Sequence, residues 1–160
     1  MAVIEFARNV AGLTGANSEE VSTSTKHPVI HIMHDQKKLL ASKKYGGTIR
    51  LGNWPCKIIK DSVLAKSYKH TKTIQERHRH RFEFNNTYRR RLEAKGLVIS
   101  GQSPDGNLVE AIEIKNHPFF VGTQFHPEYK SSPLEPHPLF IGFVKASIKI
   151  KAVSSKRPKN

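Results

Sequence analysis

HPFFVGTQFHPEY, residues 117–129, is the stretch on which the reading of the chain turns. Phe119, Phe120 and Val121, continued by Gly122–Phe125, predict a buried strand over residues 117–125, because aromatic and β-branched side chains suit a packed, pleated surface. Pro127 has no N–H to donate and ends the ladder. His126 and Glu128 flank that proline. A histidine and a carboxylate two residues apart, at the end of a buried strand, have the chemistry of the base and the orienter of a nucleophilic triad. The same residues also fit an ordinary loop.

A triad needs a nucleophile, and the one cysteine is Cys56, in LGNWPCKII. It follows a proline and precedes an apolar, strand-like run. That context is the start of a strand, where a thiol serves as a small hydrophobe, and not a turn that exposes sulfur at a helix N-terminus.

The chain has 160 residues, within the range of one domain. No apolar run approaches the ~18 residues of a membrane span, and the N-terminus lacks the charged and apolar regions of a signal peptide. A single cysteine allows no internal disulfide and suits a reducing cytosol, so a cytoplasmic protein is expected. The net charge is +14, from 27 basic and 13 acidic side chains. Its denser clusters are three separate patches: Arg77, Arg79 and Arg81, then Arg89–Arg91, then the lysine-rich end, which has no acid after Glu135. No zinc-finger spacing, helix-turn-helix pattern or aromatic RNA-binding signature accompanies them, so nucleic acid is not expected as the main partner.

Residues 2–13 predict an amphipathic helix, with Val3, Phe6, Val10 and Leu13 on one stripe and Gly12 and Gly15 at its end. Nothing precedes this helix to cover the stripe. Residues 16–27 read as a polar loop carrying Glu19 and Glu20, residues 28–33 as a short strand, and residues 34–45 as a charged connection. Thr48–Leu51 and Cys56–Ile59 read as two strands, the first entered by Gly46-Gly47, and residues 62–68 as a short helix. In TIQERHRHRFEF (73–84), strand alternation puts Arg77, Arg79 and Arg81 on one face and Glu76, His78, His80 and Phe82 on the other. His78-x-His80 could ligate a metal but lacks a clustered third ligand; no metal is expected. A helix over 88–95 stopped by Gly96, a strand over 97–100, a turn at Asp105-Gly106 and a return strand over 108–114 follow. A last helix carries Phe140, Phe143, Val144 and Ser147 on a side expected to pack on the sheet. Residues 1–150 make the domain and 151–160 a basic, disordered tail.

QFHPE at the end of a V-G-x-Q-F strand resembles the histidine/glutamate signature of the class I (triad) glutamine amidotransferases. GGTIRLG, ERHRHRFEFNN, G-x-S-x-D-G-x-L-V-E and HPFFVGTQFHPEY, in that order, resemble the CTP synthase family within them. The likeness runs from residue 2 to about residue 148. It implies an α/β fold of three layers with a mixed, centrally parallel sheet. It also implies that His126 and Glu128 are the catalytic histidine and glutamate, and that Glu20 and Arg81 bind the two charged ends of glutamine. In that family a cysteine in a Gly-x-Cys-x-Gly elbow attacks the glutamine amide. The ammonia passes to a synthase domain that uses ATP and Mg2+ to aminate UTP to CTP, in enzymes expected to be homo-tetramers.

The synthase domain, the elbow and the first strands of the amidotransferase domain have no counterpart in these residues, so the chain reads as a C-terminal part of such an enzyme. It is expected to lack glutaminase activity alone and, with an uncovered first helix, to be prone to aggregation. The alternative is a non-catalytic ligand-binding or regulatory protein derived from the same fold.

Overall fold

The computed structural model describes residues 1–32 and 50–154, with side chains placed as far as Ala152. The first helix, α1 (Ala2–Asn9), buries Val3, Ile4, Phe6 and Ala7, the i, i+3, i+4 face that the sequence marks out. It is shorter than the expected 2–13. Past Asn9 the backbone opens into wide turns, with Ala11 N–H bonded to Phe6 O and Leu13 N–H to Ala7 O. Gly12 and Gly15 supply the positive φ, +66° and +79°, that this unwinding requires.

The expectation of an uncovered stripe is overturned for Val3, Phe6 and Leu13, which are buried, while Val10 is half exposed. α1 packs with β1 (Ala16–Ser18) and β2 (His27–Ile32) and into a cluster containing Phe84, Leu92, Leu97, Ile99, Val109 and Ile112. Later parts of the chain cover it, and local sequence could not show them. β1 also replaces part of the loop expected over 16–27.

Among the described residues eight strands form two sheets. β1, β2 and β5 (Phe82–Phe84) make a three-stranded sheet. β3 (Arg50–Ile58), β4 (Thr73–His80), β6 (Leu97–Gln102), β7 (Val109–Ile114) and β8 (Val121–Thr123) make the second, in the order β4-β3-β6-β7-β8. Among the described residues the parallel pairing is β1–β2, and every pairing in the five-stranded sheet is antiparallel. The mixed α/β character is as expected, with its parallel part confined to that short pair.

Two strands were expected where β3 runs unbroken through Pro55. Its regular ladder is with β4, while β6 meets it only at Lys57 and Ile58, so Pro55 stands where the other edge is open. The carbonyl of Gln75, opposite Pro55, is taken by Lys130 Nζ at 2.5 Å. The reverse holds for residues 117–125. Pro118 and the positive-φ turn at Asn116 (φ +64°) delay the strand, and β8 is confined to Val121–Thr123.

A second cluster gathers Cys56, Ile58, Leu64, Ala65, Ile74, Ala111, Phe125 and Leu139. Helix α2 (Val63–Ser67) contributes Leu64 and Ala65, and its N-terminus is fully capped. Ser62 Oγ accepts from Ala65 N–H, and the two oxygens of Glu113 accept from Val63 and Leu64 N–H at 2.9 and 2.8 Å. Helix α3 (Arg89–Glu93) is a single turn ended near Gly96, whose φ is +99°.

The last helix, α4 (Pro138–Ser154), starts on His137, whose Nδ1 accepts from Leu139 N–H. It runs beyond residue 150, where the tail was expected to begin; residues 155–160 lie outside the described residues, as do residues 34–45 and Gly46–Ile49. The expected packing of its apolar side on the sheet does not occur. Leu139 is buried, but Phe140, Phe143, Val144 and Ile148 are exposed. The helix meets α2, and the Phe143 ring stands edge-on to Phe119 with centroids 5.9 Å apart. No helix among the described residues is long and apolar enough to cross a membrane.

Candidate functional site

β8 runs into Gln124, whose N–H bonds the Glu110 carbonyl, and Phe125, which is buried in the second cluster. The chain then turns outward. His126 N–H bonds the Arg77 carbonyl of β4, which ties the turn to the sheet edge, and a single 3-10 turn follows over Pro127–Lys130. Within that frame His126 Nδ1 lies 2.6 Å from Glu128 Oε1. A carboxylate only accepts at neutral pH, so Nδ1 carries the proton and Nε2 is left as the free lone pair. The imidazole also stacks on Tyr129, with centroids 5.0 Å apart and planes 21° apart. Burial acts to raise the Glu128 pKa. The hydrogen bond from His126, the local backbone and the nearby positive charges outweigh it and hold the carboxyl below its usual range. Both side chains reach solvent, at 38% and 54% exposure, as a proton-transfer pair requires.

Glu20 and Arg81 meet in a separate feature. A cavity of about 780 Å³ is walled by the start of α1, by Ser18 and Glu20 after β1, by the bend at Arg81 and by Gln124. Glu19 is the competing acid, and the structure separates the two: Glu19 Oε2 accepts from Ile32 N–H at 2.9 Å, while Glu20 is exposed and lines the cavity. Arg81 stands where the chain leaves β4 for β5, that is, where it changes sheets. Glu83 and Glu110 are the acids with which Arg81 could form a structural ion pair. Glu83 instead faces His31 and Glu110 pairs with Arg50, and buried Nε of Arg81 has no hydrogen-bond partner among the described residues. An acid and a guanidinium whose Nε has no partner among the described residues thus line one cavity, while the His126–Glu128 pair begins two residues beyond Gln124.

Beside the cavity lies a buried polar network that sequence reasoning missed. Glu110 is 1% exposed and its Oε1 lies 2.6 Å from Arg50 Nη1. Burial raises the Glu110 pKa and Arg50 opposes that rise. His78, also 1% exposed, and His80 are hydrogen-bonded to each other at 3.0 Å. Burial and the Arg50 charge push their pKa values down to about 3 and about 4, so both are neutral at pH 7. Among the described residues no group of three or more His, Cys, Asp or Glu side chains could hold a metal ion. The signal for Glu110 was its place in VEAIEI, a strand buried on both faces, where a glutamate must be paired.

Cys56 is fully buried in β3 among Ile58, Ala111 and Phe125. Burial, with a smaller contribution from Glu110, pushes its thiol up to about 12. It is a core residue and not a nucleophile.

Residues 1–146 match the family Glutamine amidotransferase class-I. The chain is 60% identical over 150 residues to the CTP synthase of Caldanaerobacter subterraneus subsp. tengcongensis, covering 94% of this chain and 27% of the relative. It is 55% identical over 158 residues to the CTP synthase of Fibrobacter succinogenes, covering 98% of this chain and 27% of the relative. The chain therefore spans about 27% of the length of these curated relatives. Its fold superposes on the glutaminase domain of Trypanosoma brucei CTPS, solved with bound acivicin, with a TM-score of 0.83 and 38% identity over 92% of this chain and 56% of that one.

Proposed function

The chain belongs to the class I glutamine amidotransferase family, and from that premise we propose that it forms the glutamine-binding and proton-transfer part of the glutaminase site of a CTP synthase. The observation that carries this reading is the 2.6 Å bond from His126 Nδ1 to Glu128 Oε1, which leaves Nε2 as the base. Glu20 and Arg81 support it from the cavity wall. They offer one negative and one positive group to the α-ammonium and α-carboxylate of an amino acid.

Catalysis proceeds from a cysteine outside these 160 residues, since Cys56 is buried and its thiol is held neutral. His126 Nε2 takes the thiol proton as sulfur attacks the glutamine amide carbon. It gives that proton to the departing nitrogen, which leaves as ammonia and a thioester. His126 then removes a proton from water as the oxygen attacks the thioester. Glutamate is released, and the proton returns to sulfur. Glu128 holds the imidazole in the required tautomer and stabilises its charged form. The start of α1 lines the cavity, where helix N–H groups favour a thiolate and an oxyanion. In the whole enzyme the ammonia reaches a synthase domain that binds ATP with Mg2+ and aminates UTP to CTP, in a cytoplasmic homo-tetramer.

Calorimetric titration of glutamine into the 160-residue chain tests this. Binding is expected, weakened at least tenfold by either E20Q or R81A, with no ammonia released. Ammonia release abolished by C56A, or binding indifferent to both cavity variants, would overturn it. Binding without any His126-dependent hydrolysis, once a segment bearing the elbow cysteine is added, would favour a non-catalytic role.

A further inference from the structure

The cavity presents Arg81 from a bend one residue long, between the last residue of β4 and the first of β5. A guanidinium on such a bend is only as well aimed as the backbone on either side of it. Besides the strand pairings of His80 with Arg50 and of Phe82 with Ile32, two side chains fix the bend, and both end on the carbonyl of Phe82. His80 Nδ1 lies 3.0 Å from it and Gln124 Nε2 lies 3.3 Å from it.

The hydrogen-bond pattern then assigns the protons. A carbonyl only accepts, so His80 Nδ1 carries the hydrogen. With its ring neutral, His80 Nε2 is a lone pair, and the partner 3.0 Å away, His78 Nδ1, must donate to it. His78 is therefore also the Nδ1–H tautomer. Arg50 Nη1 lies 3.5 Å from that nitrogen, at the limit of hydrogen-bond reach, and its closer partner is the Glu110 carboxylate, in an ion pair at 2.6 Å. Glu110 Oε2, 3.7 Å from His78 Nδ1, adds an electrostatic reason for the proton to reside there. Donation thus runs from His78 through His80 to the Phe82 carbonyl, with the Glu110 carboxylate, itself paired with Arg50, beside the first donor. A second proton on His80 would fall on Nε2 and break the bond from His78, in keeping with the lowered pKa of His80.

We propose that His78 and His80, locked as two neutral Nδ1–H tautomers in series, are positioning residues that clamp the Phe82 carbonyl and so aim Arg81 at the carboxylate of the bound amino acid. This rests on the reading of Arg81 as a ligand contact. It deepens that reading by giving a role to the two histidines of the ERHRHR run.

The test uses the full 160-residue chain and three substitutions at His80. Asn places its amide nitrogen near the Nδ1 position and keeps the donor to Phe82. Gln places its amide nitrogen near the Nε2 position and does not. Ala removes both. H80A and H80Q are expected to weaken glutamine binding at least tenfold, and H80N to bind within about threefold of the unaltered chain. Nitrogen-15 NMR is expected to show Nδ1 protonated in both rings, and the Arg81 Nε–H resonance displaced in H80A and restored in H80N. Melting curves identify any variant that has lost its fold. Binding lost in R81A but unchanged in H80A would overturn the clamp and leave the cavity reading intact. If the unaltered chain takes up no glutamine, the cavity reading fails, and the NMR decides the clamp by itself. A protonated Nε2 on His80, or an Arg81 resonance indifferent to H80A, would then sink it.

Discussion

The Cys56 sulfur occupies the space that a side chain at Gly101 would need: a Cβ built there falls 2.8 Å from Sγ, and 3.1 Å from the Ala111 Cβ. Both neighbours are buried and neither is the loose end of a long side chain. G101A is therefore expected to lower stability by roughly 1–3 kcal/mol, the usual cost of overpacking a core. C56A/G101A should recover part of that loss, because the closest clash has gone. A double-mutant cycle in urea checks the coupling; strict additivity would show that the two positions do not compete for space.

The same burial makes the thiol a reporter of alkaline stability. A Cys56 thiol raised from 9.0 to about 12 stays neutral in the folded chain while its unfolded counterpart ionises. Its contribution is fully present below pH 9 and is lost as the pH climbs from 9 toward 12. Relative to C56A, the unaltered chain should lose roughly 1.4 kcal/mol per pH unit across that interval. Parallel stability profiles for the two proteins would contradict this.

Glu113 caps α2 through two backbone N–H groups and is itself buried. E113A leaves both donors unsatisfied at a helix start and is expected to cost roughly 2–3 kcal/mol in chemical denaturation, with E113Q losing less. A change under 0.5 kcal/mol, the usual size for an exposed position, would mean that water replaces the cap.

For the proton-transfer pair the expected signature is a titration. Glu128 should titrate below 4.5 and move back toward that value in H126A. Its folded pKa is depressed, so the pairing supports the fold above the ordinary carboxylate value and is lost as the pH falls through the folded value. Both groups are exposed, and the stability change should be small. Carboxyl carbon NMR reads the midpoint directly; a value at or above 4.5 in the unaltered chain would refute the pairing.

Helix α4 leaves Phe143 and Ile148 at 56% and 64% exposure. Exposed apolar surface of that kind favours association. F143E/I148E is expected to reduce concentration-dependent self-association in sedimentation without lowering the melting temperature. A fall in melting temperature would show that the residues pack in solution.

Local chemistry was legible without coordinates where it acted over a few residues. The apolar face of α1, the alternation of Arg77 and Arg79 against Glu76 and His78, the Gly96 stop and the Asp105-Gly106 turn all follow from spacing and backbone preference. So does the burial of Cys56 behind Pro55. The His126–Glu128 bond belongs to the same class, because two residues separated by one proline lie within reach of each other whatever the rest of the fold does.

What the sequence could not decide were relationships between segments distant along the chain. Part of the cover over α1 comes from Leu97, Ile99, Val109 and Ile112, about a hundred residues away, so the helix looked bare. The continuity of β3 through Pro55 depended on which of its edges was left open. That Glu19 turns to the Ile32 N–H while Glu20 lines the cavity depended on β2 lying beside them. Likewise, the Arg50–Glu110–His78–His80 network assembles side chains from three strands that no local pattern connects. Sequence determined the periodicities, the turns and the adjacent catalytic-type pair, because those depend on bond geometry and near neighbours. Tertiary structure alone decided which faces were covered and which charges met, because burial and pairing depend on the parts of the chain that fold back upon each residue.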